Sequence, residues 1–149
     1  MPSDSRTLLL RKADLLLGDF GKAVLRLTDA LGQPESEFIR DAAIQRFEFC
    51  FELAWKSVQA VARLEGQESA SPRTALSTAW RNGWIANESA WLDMLEDRNR
   101  TAHTYREALA KEVFGNLTRH LTHLDELQRM LAARVTEIEK DIPDRPPEV

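Results

Sequence analysis

Apolar residues recur at helical spacing along almost the whole chain, and this periodicity leaves little room for anything but α-helices. Glycine and proline, six of each, sit mostly between the periodic stretches. Leu9, Ala13, Leu16, Phe20, Ala23, Leu27 and Ala30 step by four and three, so a first helix is expected from about Arg6 to Leu31. Gly32-Gln33-Pro34 stops it. Ser36 caps a second helix that runs to about Glu65, with Ile44, Phe47, Phe51, Trp55, Val58 and Ala62 as its apolar stripe. Asp41, Gln45, Glu48, Glu52 and Lys56 form a charged and polar stripe beside it. Ser71-Pro72 reads as N-cap and first residue of a short third helix, which Asn82-Gly83 ends near Arg81. A fourth helix starts at Asn87 or Ser89 and carries Trp91, Leu92 and Leu95. The last starts near Arg106 and ends near Lys140, with Phe114, Leu117, Leu121, Leu124, Leu131, Val135 and Ile138 along one side. No strand-like alternation competes. The expectation is an all-α, up-and-down bundle of three long helices plus a short helix pair. It forms a single domain over residues 1–141, followed by a frayed proline-rich tail over 142–149.

The composition narrows the function classes. The chain has 149 residues, enough for one domain with a real core. Its 24 acidic against 20 basic residues leave a formal charge of −4, which argues against broad coating of nucleic acid and makes a DNA-binding role unexpected. A small local basic site remains compatible. Cys50 is the single cysteine, so no internal disulfide forms and a reducing compartment is expected. Lying between Phe49 and Phe51, it reads as a core thiol. The leucine triplets at 8–10 and 15–17 are interrupted by Arg11, Lys12 and Asp14, which does not read as a signal peptide. No stretch reaches the roughly 20 apolar residues of a membrane helix. A cytoplasmic, soluble protein follows. A Gly-rich phosphate loop, Cys-x-x-Cys and His-Glu-x-x-His are all missing, so neither a metal nor a cofactor is expected. His120 and His123 are three residues apart; with no matching acid nearby in sequence, they read as a surface pair. Trp80, Trp84 and Trp91 could stack bases, but read better as a plug for one end of the bundle.

One segment does not belong to a purely structural helix. Asp97-Arg98-Asn99-Arg100-Thr101-Ala102-His103-Thr104-Tyr105 holds two arginines, a histidine and the single tyrosine. An imidazole moves protons near neutral pH, and a guanidinium grips phosphate through paired hydrogen bonds. Together, Arg98 and His103 are suited to acid–base chemistry on a phosphodiester without a metal. On an unbroken helix the two would point about 140° apart, while Arg98 and Tyr105 would nearly coincide. A shared site therefore needs a helix end inside Asn99–Thr104, or a second copy of the chain facing the first. Read alone, the segment reads better as a polar helix C-terminus with cations placed on the helix dipole. Glu48 and Glu52 are candidates to meet an arginine from elsewhere.

Two blocks carry a family resemblance. One is Arg40-Asp41-Ala42-Ala43-Ile44-Gln45-Arg46-Phe47-Glu48-Phe49-Cys50-Phe51-Glu52-Leu53-Ala54-Trp55-Lys56, and the other runs from Trp91 to Tyr105, with Ser71-Pro72-Arg73 between them. Over about Leu8 to Leu131 the chain resembles the nucleotidyltransferase substrate-binding proteins, a branch of the HEPN superfamily. The resemblance implies a helical bundle that dimerises through the faces carrying the Arg-x4-His segment. It also implies a partner, a small "minimal nucleotidyltransferase". Two activities are attached to such proteins. One is a non-catalytic subunit that presents substrate to the nucleotidyltransferase. The other is a metal-independent RNase toxin acting on tRNA or mRNA, with the nucleotidyltransferase as antitoxin. The expected activity is the RNase toxin, with the presenting subunit as the alternative: carried onto this sequence, Arg98 and His103 are the catalytic pair and Tyr105 accepts AMP from the antitoxin. Arg100, Asn99, Asp97, Glu48 and Glu52 support or position phosphate.

Overall fold

The computed structural model describes residues 3–141, so the tail expected at 142–149 lies outside the described residues. Five α-helices follow one another: α1 (Ser3–Leu31), α2 (Glu37–Leu64), α3 (Pro72–Arg81), α4 (Glu88–Arg100) and α5 (Glu107–Lys140). A single 3-10 turn, Thr101–His103, separates α4 from α5. The fold class expected from periodicity is the one observed.

The helix ends form where local chemistry supplies partners for the orphaned backbone groups. The Ser36 hydroxyl accepts from the Ile39 N–H at the start of α2. Ser71 and Thr74 close a reciprocal capping box on α3, with Pro72 in the first turn where no N–H is needed. Gly66 and Gly83 take positive φ just past the ends of α2 and α3. At each of these, two N–H groups fold back onto the helix: Gln67 to the Ala62 carbonyl and Trp84 to the Ala79 carbonyl, both at 2.9 Å, are the longer-range bonds.

Helix directions follow from the contacts. Residues 32–36 turn α2 back along α1, and Arg46 reaches the Arg26 carbonyl at 2.7 Å. Phe47 stacks on His120 and Glu65 pairs with Arg134, so α2 and α5 run in the same direction. α4 runs the opposite way to α5, with Asp97 meeting Asn116 and His120 of α5. Thus α1, α2, α4 and α5 alternate in direction, and α3 is a short excursion packed mainly on α2.

The buried seam of α1 is Leu10, Ala13, Leu17, Phe20, Val24, Leu27 and Ala30. The row is turned slightly from the expected one: Leu9, Leu16 and Ala23 lie on its flank, packed against the core edge. α1 contacts both α2 and α5, so the residues that point between these two helices are the most deeply covered. α2 lies at the centre, and its buried face widens beyond the expected stripe to include Ala43, Cys50, Ala54, Ser57 and Val61. Cys50 is a core thiol as expected; burial pushes its pKa up to about 12, which leaves it an inert thiol. Trp84 and Trp91 are buried near the joint of α3 and α4, whereas Trp80 is half exposed, so two of the three tryptophans act as the expected plug. Among the described residues no helix is long and apolar enough to cross a membrane.

Candidate functional site

The last turn of α4 distributes its charged residues in two directions. Arg98 points to α2, where its guanidinium bonds the Glu52 carboxylate and lies 5.8 Å over the Phe51 ring. Asp97 points to α5 and is 3% exposed. Arg100 lies on that side too, bonded to Asp97 at 3.1 Å and to Glu112 at 2.8 Å.

The helix then ends at Arg100, within the span where a break was one of the two ways to a shared site. The Thr101 hydroxyl donates to the Arg98 carbonyl at 2.6 Å, and the Thr104 hydroxyl donates to the Thr101 carbonyl at 3.0 Å. These side-chain bonds satisfy carbonyls of the fraying helix and tighten it into the 3-10 turn. The Arg106 N–H bonds the His103 carbonyl at 3.1 Å and brings the chain round into α5.

The outcome is two groups of residues on one chain. The first is an open cleft of about 370 Å3 lined by Glu48, Glu52, Arg98, Asn99, Thr101 and Ala102. Glu48 and Glu52 stand one helical turn apart there, and the expectation that one of them meets an arginine holds for Glu52. Burial pushes the Glu48 carboxyl above its ordinary range, with Arg98 and Thr101 pulling the other way. The second group is outside that cleft. The exposed His103 ring meets Tyr105 edge-on at 6.1 Å, and the Arg106 guanidinium lies 5.8 Å from the same tyrosine ring. Tyr105 is 76% exposed. The fold brings Arg98 together with the glutamates, and His103 together with Tyr105, but it does not put Arg98 and His103 in one cleft of one chain.

Beneath both groups lies a polar cluster that overturns the surface reading of His120. Its ring is fully buried, stacked on Phe47 at 5.4 Å, and its Nε2 is 2.7 Å from the Asp97 carboxylate. Asn116 donates to the same Asp97 oxygen at 3.0 Å. The acid sought for this histidine was present all along, but 23 residues away on another helix. A signal was available: Val113, Leu117, His120, Leu124, Leu127 and Leu131 keep the three-four rhythm of a buried seam, with His120 inside it. His123, three residues on, is partly exposed and faces Glu126.

With Nε2–H donated to Asp97, Nδ1 of His120 has no partner among the described residues. Burial holds this imidazole below its ordinary value of 6.5, outweighing the pull of Asp97. The unfolded chain therefore takes up this proton before the folded one does. The stability contributed by neutral His120 is complete above about pH 6.5 and is lost progressively as the pH falls below it. Urea midpoints measured on both sides of that pH should show the decline, and His120→Gln, which keeps an N–H for Asp97, should flatten it. An unchanged slope in the variant would assign the decline to other groups.

Residues 15–133 match the family described as nucleotidyltransferase substrate binding protein like. A crystal structure of a protein from Thermus thermophilus is 37% identical, with a TM-score of 0.66, covering 78% of this chain and 98% of that one. A Haemophilus influenzae protein, whose structure was described as revealing the fold of a substrate binding domain of a nucleotidyltransferase, is 25% identical. Its TM-score is 0.62, with 83% of this chain and 98% of that one covered. No curated protein matches significantly.

Proposed function

We propose, on the premise that this chain belongs to the family of nucleotidyltransferase substrate-binding proteins, that it is the non-catalytic partner of a nucleotidyltransferase and holds an acceptor up to that enzyme. The observation that carries this reading is how the segment's arginines are engaged. Arg98 is matched by Glu52, and Arg100 by Asp97 and Glu112. A guanidinium already matched by carboxylates has less charge to offer a developing phosphorane, but it makes a firm docking surface. Tyr105 stands clear of this bracing, mostly exposed between His103 and Arg106. Its phenol is the acceptor this reading assigns. The phenol oxygen attacks the α-phosphorus of ATP, pyrophosphate leaves, and the phenolic proton passes to a base of the nucleotidyltransferase.

The test is co-expression with a cognate minimal nucleotidyltransferase, followed by intact mass. The expected result is a stable complex and a gain of one AMP unit that Tyr105→Phe abolishes. A stable complex with no gain removes Tyr105 as acceptor and leaves a presenting role for another substrate. No complex at all overturns the reading.

A second reading, the RNase toxin of a toxin–antitoxin pair, is favoured by the helix break after Arg100. The break frees His103 from the axis of α4. In a homodimer with these segments facing, Arg98 of one copy and His103 of the other would share a cleft. His103 would take the 2′-hydroxyl proton of a tRNA or mRNA strand, giving a 2′,3′-cyclic phosphate and a 5′-hydroxyl. AMP on Tyr105 would then add negative charge at the mouth of the cleft and exclude RNA. Cleavage in EDTA that is lost in His103→Ala supports this second reading, and intact RNA in the presence of a dimer eliminates it.

A further inference from the structure

The described surface offers an anion a second receptor, on the opposite side of α2's exposed face from the Arg98 cleft. α1 and α2 leave a groove of about 400 Å3 between them, with Ala23, Leu53 and Phe49 as its apolar lining. Phe49 is 50% exposed, a large apolar surface left facing water. Lys22, Arg26 and Arg46 surround it. Among the described residues, none of these three forms an ion pair. Arg46 is tethered by donating to the Arg26 carbonyl at 2.7 Å, which fixes its guanidinium at the groove and leaves its remaining N–H groups available.

Comparison with the Arg98 cleft decides where an anion gains more. There the one guanidinium, that of Arg98, already has a carboxylate from the same chain, so an incoming phosphate must displace Glu52. At the groove, three cations are uncommitted, and their charge is available at no such cost. An apolar lining with a half-exposed aromatic ring suits the flat face of a base. Asp19, on the same rim, can accept from ribose hydroxyls. Chain electrostatics favour a small ligand over a strand. With a net charge of −4 on the chain, each phosphate extending beyond the groove meets repulsion.

We infer that the α1–α2 groove binds a free nucleoside polyphosphate, with its base on Phe49 and its phosphates on Lys22, Arg26 and Arg46. This site is separate from Tyr105 and from the Arg98 cleft, and its test needs no partner protein. A fluorescent ATP analogue carrying a methylanthraniloyl group on the ribose is titrated into the isolated chain, and unlabelled ATP and inorganic triphosphate are used as competitors. Saturable binding is expected. The double substitution Arg26→Ala, Arg46→Ala should weaken it by more than about tenfold. Phe49→Ala should weaken it about fivefold or more, while affinity for inorganic triphosphate stays the same. Arg98→Ala should leave it unchanged. Circular dichroism of each variant checks that the bundle is intact, and Lys22→Gln serves as a milder second variant. Binding that survives the double substitution but falls with Arg98→Ala would place the nucleotide in the other cleft and overturn the assignment. So would tighter binding of a uridine oligonucleotide than of the nucleotide. A dimer that falls apart in the groove variants would also overturn it, by making the groove an interface between two copies.

Discussion

Replacing Asp97 by alanine is expected to cost roughly 3–5 kcal/mol of folding free energy. Asp97 is 3% exposed, and its carboxylate accepts from His120 at 2.7 Å, Asn116 at 3.0 Å and Arg100 at 3.1 Å. Alanine removes the acceptor and leaves the donors. His120, fully buried and with Nδ1 already unpartnered, would then have no hydrogen bond at either nitrogen. An orphaned buried donor costs more than the bond it once made was worth. Urea denaturation measures this as a lower midpoint with an unchanged slope. The same experiment reports coupling: His120→Ala should cost markedly less in the Asp97→Ala background than in the wild type. A loss below about 1 kcal/mol, or strictly additive costs, would mean that water readily takes Asp97's place. Because Asp97 immediately precedes Arg98, the same variant should also loosen the segment that presents Tyr105.

Phe47→Ala should be of similar size, roughly 3–5 kcal/mol, through a cavity rather than a lost polar contact. Phe47 is fully buried in the central helix, tilted against Phe51 at 6.4 Å and stacked on His120 at 5.4 Å. Its neighbours come from different helices, so they cannot all collapse into the vacated space. Domains of this kind are stable by about 5–15 kcal/mol in total, so the variant should lie near the edge of folding. Phe49→Ala, two residues away but half exposed, should change stability by no more than about 0.5–1 kcal/mol. Thermal melts of the two variants side by side measure the contrast. Equal losses would contradict the burial of Phe47 and the half-exposure of Phe49.

The helix boundaries were legible because their causes are local. Ser36 and Ser71 cap from within three residues, Gly66 and Gly83 supply the positive φ that ends a helix, and Pro72 fits a first turn. The candidate segment could also be read locally: Arg98, His103 and Tyr105 are distinctive in sequence, and angular arithmetic allowed a shared site only with a helix break between Asn99 and Thr104 or with a second copy of the chain. The break is there.

The partners of those residues were not legible. Nothing near Arg98 in the chain says that Glu52, 46 residues earlier, rather than Glu48 will hold it. That choice depends on how α4 lies across α2. His120 lacks an acid nearby in sequence because its acid belongs to α4, and the two meet only when α5 folds back.

Taken alone, the sequence determined an all-α chain with its helix ends and an unusual polar segment, since propensity, capping and periodicity act over a few residues. It could not choose the buried row of α1, because the triplets Leu8-Leu9-Leu10 and Leu15-Leu16-Leu17 offer an apolar side chain to either row. Contact with α2 and α5 together made that choice, burying Leu10 and Leu17 and leaving Leu8 and Leu15 outside. The tertiary structure likewise decided that Arg98 and His103 serve different neighbourhoods, and that Asp97 and His120 form a buried pair. Those outcomes rest on desolvation and hydrogen bonding between residues far apart in the chain, and such energies exist only once the helices have packed.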